Sequence, residues 1–198
     1  MPYYIRVLST TERTLPASDV ARSLKSSTLT VEAGTDDQWD ELLLVHKTGR
    51  EIAVIERNPV SDGSMAAEEL EEFIDELQDA EPATGAKWLR DYLPKVKTIY
   101  AIQVLSGTDE AEGWSELGSV KTALWNKLGG ILQADGEGFS NEDGYHVVWQ
   151  FSDTASGPWW MGLLKDGKWV HFEMELSDQR QREQFLQGEL PAGAKLAT

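Results

Sequence analysis

The residues with the clearest capacity for chemistry form an alternating row, His171, Glu173 and Glu175. In a β-strand, residues two apart share a face and lie about 7 Å from each other. One imidazole and two carboxylates in that arrangement can bind a divalent cation or act as a general acid and base. The polar face of a half-exposed strand has the same spacing for purely structural reasons. We expect the structural explanation, so the sequence predicts no catalytic residue and no metal site.

A second oxygen-rich stretch, residues 135–144, reads DGEGFSNEDG. Calcium prefers oxygen ligands supplied by a flexible turn, so the stretch is a candidate loop. Phe139 occupies the third ligand position of an EF-hand pattern, however, and Ser140 stands where that pattern requires glycine. We therefore expect a solvated hairpin connection.

Motifs for other chemistries are absent. The chain has no Gly-x-Ser-x-Gly elbow, no phosphate-binding glycine loop and no His-Glu-x-x-His. It also has no cysteine, which removes disulfides, thiolate metal sites and cysteine nucleophiles. No cofactor is predicted. Enzymatic activity stays open, with a non-enzymatic role as the expectation.

Aromatic side chains give a better indication of a site. Six of the eight tryptophans lie between residues 114 and 169. Exposed, such rings form a stacking surface for a ligand or a partner; buried, they fill the core between sheet and helix. The predicted ligand-binding residues are Trp149, Trp159, Trp160, Trp169, His171, Glu173 and Glu175.

Three aromatic-rich strands between residues 144 and 176 are expected to position these residues. In the last strand, Val170, Phe172, Met174 and Leu176 alternate with the polar row and predict one apolar face. A Lys-Asp-Gly-Lys turn joins that strand to the one before it.

The two halves of the sequence predict a similar order of strands and helices. The first half predicts β-α-β-β-β-α and the second half β-α-β-β-β-β-α, and residues 98–106 repeat the closing Val-Leu-Ser of residues 3–9. Duplication of one unit explains this order, and so does chance similarity between two ordinary patterns. We predict an α+β fold with mostly antiparallel sheet and helices on one face. Residues 1–95 and 96–198 are the predicted halves, packed as one compact unit.

The charge is strongly acidic, with 34 acidic and 18 basic residues and a formal net charge of −16. Such a field repels phosphate backbones and anionic lipids, so we expect no nucleic-acid or membrane partner. There is no apolar run long enough to span a bilayer and no signal-peptide pattern, so we expect a cytoplasmic location.

Part of the acidity is concentrated in one predicted helix. Residues 58–86 contain no lysine or arginine, and Leu70, Phe73, Ile74 and Leu77 have the spacing of one apolar helix face. The predicted partner-binding residues on the polar side are Glu68, Glu72, Asp75 and Glu76.

Three functions fit these observations. The first is an acidic binding protein, an inhibitor or immunity-type partner of a basic protein. The alternative is a small-molecule-binding or enzymatic domain with a tryptophan-lined pocket in the second half. The third is a structural subunit whose acidity serves solubility alone.

Overall fold

A computed structural model describes residues 2–197 and confirms the predicted α+β class. The strands are β1 Tyr3–Ser9, β2 Ser27–Gly34, β3 Trp39–His46, β4 Glu51–Pro59, β5 Thr98–Val104, β6 Ile131–Ala134, β7 Gly138–Phe139, β8 Pro158–Lys165, β9 Lys168–Glu175 and β10 Lys195–Leu196. The helices are α1 Ala17–Ala21, α2 Met65–Glu76, α3 Ala83–Tyr92, α4 Ala111–Leu128 and α5 Gln179–Leu186. Two short 3₁₀ turns cover Leu93–Lys95 and Ser106–Asp109.

The strands form two sheets. The larger has the order β2-β3-β4-β5-β1-β6-β7, and the smaller has the order β10-β9-β8. The pairs β2–β3, β3–β4, β4–β5, β5–β1, β6–β7, β8–β9 and β9–β10 are all antiparallel. The expectation of mostly antiparallel sheet is therefore confirmed.

The described residues divide into two compact units, and each unit is built from two separate segments. Unit 1 comprises residues 2–67 and Val96–Leu132, and unit 2 comprises Glu68–Lys95 and residues 133–197. The predicted boundary at residues 95 and 96 is one of three places where the chain passes between units. Duplication of the two sequence halves stays a prediction.

Unit 1 has its core on the strands of the larger sheet. Val7, Ile55 and Ile102 are fully buried on β1, β4 and β5. The sequence predicts a helix from about Trp114 to Leu128 with one apolar face, and α4 buries the four residues of that face, namely Leu117, Val120, Leu124 and Leu128. The helix begins at Ala111, three residues before the predicted start at Trp114.

Unit 2 has its core beneath the β8–β9 hairpin. The cluster comprises Phe151, Met161, Leu163, Phe172, Met174, Leu176 and Phe185. The alternation predicted for β9 is present, although Val170 at its start is only half-buried. Asp166 and Gly167, the two central turn residues, have φ of 49° and 75°. Positive φ at both positions is the conformation that matches the twist of a two-residue hairpin.

Two local predictions in unit 2 are wrong. The strand expected at residues 145–153 is not formed, and this segment has single bridges from His146 to Ser140 and Met161. Its backbone then bonds elsewhere: the N–H of Trp149 donates to the carbonyl of Glu81 at 2.8 Å, which removes it from any strand ladder. The sequence also predicts that Ser177 caps a last helix ending at Gln187, but α5 is capped by Asp178, whose side chain accepts the N–H groups of Arg180 and Gln181.

Close packing of α3 makes a glycine necessary. A Cβ added at Gly85 would lie 2.0 Å from the carbonyl oxygen of Val147. The same addition at Gly118 on α4 meets no atom within 4 Å beyond the neighbouring backbone of its own helix. We expect Gly85→Ala to lower the free energy of unfolding by about 2 kcal/mol or more, because backbone has to shift. Gly118→Ala should raise it by about 0.5–1 kcal/mol, since alanine is the better helix former.

Urea unfolding followed by circular dichroism measures both effects. Equal stability of the two alanine variants would contradict the close approach of α3 to residue 147.

Candidate functional site

The β8–β9 hairpin places the predicted site residues on two opposite faces. Residues paired across the strands share a face, and the pairs include Trp160 with Glu173 and Gly162 with His171. Trp159, the neighbour of Trp160 along the strand, points to the other face.

The four predicted tryptophans consequently do not form one row. Trp149 and Trp159 pack against the apolar core of unit 2. Trp160 lies on the polar face and is 46% exposed. Trp169 meets the ring of Trp88 at 86°, with ring centroids 5.0 Å apart. Of these four tryptophans, only Trp160 offers a broad ring surface to solvent.

The two glutamates of the polar row already have local partners. Glu173 Oε1 accepts from Lys195 Nζ at 3.0 Å. Glu175 Oε1 accepts from the Ser177 hydroxyl at 2.6 Å and from the N–H of Gly157 at 2.6 Å. Hydrogen bonds from Ser177 and Gly157 hold the pKa of Glu175 below its ordinary value.

Metal binding gains no support from this geometry. Within residues 2–197 no three side chains of the types that ligate metals are grouped so as to hold an ion.

The third member of the row, His171, is held by Asn141, which the sequence placed only in the candidate loop 135–144. Asn141 is fully buried, and its Oδ1 accepts the N–H groups of Asp143 at 3.1 Å and Tyr145 at 3.0 Å. Those two bonds fix the orientation of the amide, so Nδ2 is the atom 3.0 Å from His171 Nε2. His171 Nε2 must therefore accept, and the neutral ring carries its proton on Nδ1.

The surroundings of His171 favour the neutral imidazole. Its ring stacks on Tyr145 with a centroid distance of 3.8 Å and an interplanar angle of 3°. Burial lowers the pKa of His171 below its ordinary value, while the Asp143 carboxylate, 3.7 Å from Nε2, opposes that shift. Protonation would also turn an N–H of the ring towards the N–H₂ of Asn141.

Beside Trp160 there is an open pocket of about 320 Å³, lined by Gly144, His146, Pro158, Trp159 and Trp160. Trp159 Nε1 donates to His146 Nδ1 at 2.9 Å. Because an indole N–H can only donate, His146 Nδ1 is unprotonated in this arrangement. A smaller depression of about 240 Å³ also reaches Pro158 and includes Glu173 and Lys195.

A third depression, of about 540 Å³, lies in unit 1 along α4, and none of the predicted site residues lines it. Its lining includes Ser115, Ser119, Thr122 and Asn126, with Lys121 and Lys127 beside them. Its lining contains no aromatic ring, imidazole or carboxylate, so this surface has little capacity for specific chemistry.

Helix α2 carries the four predicted partner-binding carboxylates on its solvent side. Glu68, Glu72, Asp75 and Glu76 are exposed, whereas Leu70, Phe73 and Leu77 are buried. At about 100° per residue the acidic and apolar groups fall on opposite sides of the helix. None of the four carboxylates forms an ion pair within residues 2–197, and Asp75 accepts only from Gln78 Nε2 at 3.2 Å.

The C-terminal end of α2 is held by Arg90, which bonds to a backbone carbonyl and not to the four carboxylates. Arg90 of α3 donates from Nη1 to the carbonyl oxygen of Leu77 at 2.5 Å. The guanidinium satisfies a carbonyl at the helix terminus and contributes no ion pair to the acidic side.

The acidity of the chain is unevenly divided. Unit 2 has 20 acidic and eight basic residues, for a net charge of −12, while unit 1 has 14 and ten, for −4. Most of the net charge therefore belongs to the unit that contains Trp160 and most of α2.

Comparison of the chain with protein-family models, curated proteins and solved structures finds no match. In residues 2–197 there is no helix with the length and apolar character required to cross a bilayer.

The lowered pKa of His171 predicts a specific pH dependence. The unfolded chain binds this proton first, at about pH 6.5, so the contribution of His171 to stability is complete above that pH. It should be lost as the pH falls from about 6.5 through the lower pKa of the folded state. His171→Gln keeps an acceptor for Asn141 but cannot titrate, so the variant should lose less unfolding free energy between pH 7.5 and 5.5.

Chemical unfolding at several pH values measures the two slopes, and an NMR titration of the imidazole gives the pKa of His171 directly. Parallel slopes for the wild type and the glutamine variant would contradict the prediction.

Proposed function

We propose that this chain is an acidic binding protein that engages a basic protein, as an inhibitor or immunity-type partner does, through the solvent face of α2. The observation that carries the proposal is the set of four exposed carboxylates that form no ion pair among the described residues, on a helix anchored by its opposite face. A cytoplasmic location and a protein partner, not a nucleic acid, belong to the same proposal. The lack of cysteine and the net charge of −16 support them.

The arrangement on α2 is unfavourable to the free helix. Glu68 and Glu72, and Glu72 and Glu76, are like charges four residues apart, which costs about 0.2–0.5 kcal/mol per pair. Asp75 and Glu76 stand in the last turn, where the helix dipole favours cations. Cations of a partner would relieve both penalties at once.

An apolar side chain stands at the beginning of this helix. Met65, the first residue of α2, is 82% exposed. It precedes Glu68 by three residues and Glu72 by seven, which places it on the same side of the helix. Methionine is enriched in protein interfaces, where its flexible thioether adapts to the partner. An apolar contact beside the charges supports protein binding better than a diffuse counterion atmosphere does.

A second function, small-molecule binding or an enzymatic reaction in unit 2, is favoured by the pocket beside Trp160. Binding fits that pocket better than catalysis: none of His171, Glu173 and Glu175 lines it, and each is held by local hydrogen bonds or ion pairs.

Charge reversal tests the proposal with oligolysine as the basic probe. One variant replaces the α2 carboxylates with lysine, at Glu68, Glu72, Asp75 and Glu76. The control variant replaces four exposed carboxylates of unit 1, at Glu12, Glu32, Asp37 and Asp62. Both variants change the net charge from −16 to −8, since each reversal adds two.

We expect the α2 variant to bind oligolysine about tenfold more weakly at low ionic strength, with a shallower salt dependence. Exposed charge pairs contribute about 0.2–1 kcal/mol each, and 1.4 kcal/mol corresponds to tenfold. The control variant should lose much less. Equal losses in calorimetric titrations would mean that only net charge matters and that α2 is not the interface.

A further inference from the structure

We infer that Trp160, together with Tyr145 and Glu173, forms a receptor for an arginine side chain of the basic partner. The inference rests on the proposed binding of a basic protein and adds the chemical group that unit 2 recognises. It concerns a face of the β8–β9 hairpin and not the carboxylates of α2.

The aromatic part of the receptor is already in position. Tyr145 stands at 89° to Trp160, with ring centroids 6.0 Å apart, so the two rings form perpendicular walls next to the pocket. Tyr145 is itself fixed by its stack on His171 and by its N–H bond to Asn141. A wall that is ordered before binding loses little conformational entropy when a ligand arrives.

A carboxylate accompanies the exposed ring. Glu173 is paired directly with Trp160 across the strands, which places their Cβ atoms about 5 Å apart on one face. Its Oε1 accepts from Lys195 Nζ at 3.0 Å, and Oε2 remains as an acceptor for an incoming donor. The net charge of −12 on unit 2 attracts a cation to this face from a distance.

Unit 2 already contains one arginine that stacks on a tryptophan ring and bonds to a carboxylate. The guanidinium of Arg182 lies over the ring of Trp149, 4.7 Å from its centroid, and Arg182 Nη2 donates to Asp153 Oδ1 at 2.5 Å. In the proposed receptor, Trp160 corresponds to the ring and Glu173 to the carboxylate, and the partner would supply the arginine. Among the described residues, no lysine or arginine lies over the ring of Trp160.

Arginine fits this site better than other ligands. A guanidinium is planar and weakly hydrated, so it can stack on indole while its N–H groups reach a carboxylate. A lysine ammonium is a compact, strongly hydrated point charge and cannot stack in this way. A sugar can stack on an exposed indole but gains nothing from the negative field of unit 2.

NMR of the indole N–H groups of the full chain tests the inference. N-acetyl-arginine amide is the probe, and N-acetyl-citrulline amide is its neutral isostere. We expect a saturable shift of the Trp160 signal at millimolar arginine amide, with binding at least fivefold weaker for citrulline. Trp160→Leu removes that signal, so the backbone N–H signals of Tyr145 and Glu173 report on this variant, and their response to arginine amide should be lost. Glu173→Gln should weaken binding severalfold while preserving the shape of the side chain.

Trp114→Leu is the matched control, because Trp114 is 45% exposed and lies on α4 in unit 1. It should leave the arginine response unchanged. An undiminished response in Trp160→Leu, or equal binding of citrulline amide or methyl glucoside, would overturn the inference. Equal binding of the neutral probes would indicate a pocket for neutral small molecules instead.

The outcomes separate the two proposals. If the α2 charge reversals weaken oligolysine binding but Trp160 does not respond to arginine amide, the receptor is wrong and the α2 interface stands. If arginine amide binds at Trp160 while the α2 variant behaves like its control, the receptor stands and the α2 interface is wrong.

Discussion

The candidate site depends on the buried side chain of Asn141. Its carbonyl oxygen gathers two backbone N–H groups of the following loop, and its amide nitrogen reaches the imidazole of His171. One residue therefore fixes a loop backbone, the tautomer of a histidine and, through the stacked ring, the position of Tyr145. A buried amide is stable only when its hydrogen bonds are made, so this arrangement exists as a whole or not at all.

Charge is the second constraint. The amide of Asn141 is buried and hydrogen-bonded, whereas four carboxylates of α2 are exposed to solvent. Asn141 concentrates satisfied polar groups inside unit 2, whereas α2 exposes Glu68, Glu72, Asp75 and Glu76, which form no ion pair within residues 2–197. The helix tolerates them because Leu70, Phe73 and Leu77 anchor its other face in the core. The buried apolar face therefore stabilises the helix, and the residues of the solvent face can be used to bind a partner.

Features with a local period could be predicted from the sequence. The apolar spacing of α2 and the alternation of β9 depend on neighbours within one element, and both are present. The apolar residues Val147 and Val148 resembled a strand, but they are buried in succession because α3 packs on them through Gly85. Because neighbouring residues of a strand point to opposite faces, the sequence predicts that Trp159 and Trp160 lie on different faces of the sheet. Which of the two rings faces solvent depends on the cross-strand register and on the core beneath the sheet. The role of Asn141 arises from hydrogen bonds to residues up to 30 positions away, and no periodicity announces such bonds.

The interleaved composition of the two units has a consequence for synthesis on the ribosome. Strand β1 finds its partner β5 only after residue 104 has emerged, and the second segment of unit 2 begins at residue 133. A nascent chain released near residue 100 would contain only part of each unit. Long-range pairing of this kind slows folding. The protein is consequently expected to reach its native state late, as a nearly full-length chain, and to be difficult to divide into independently folding fragments.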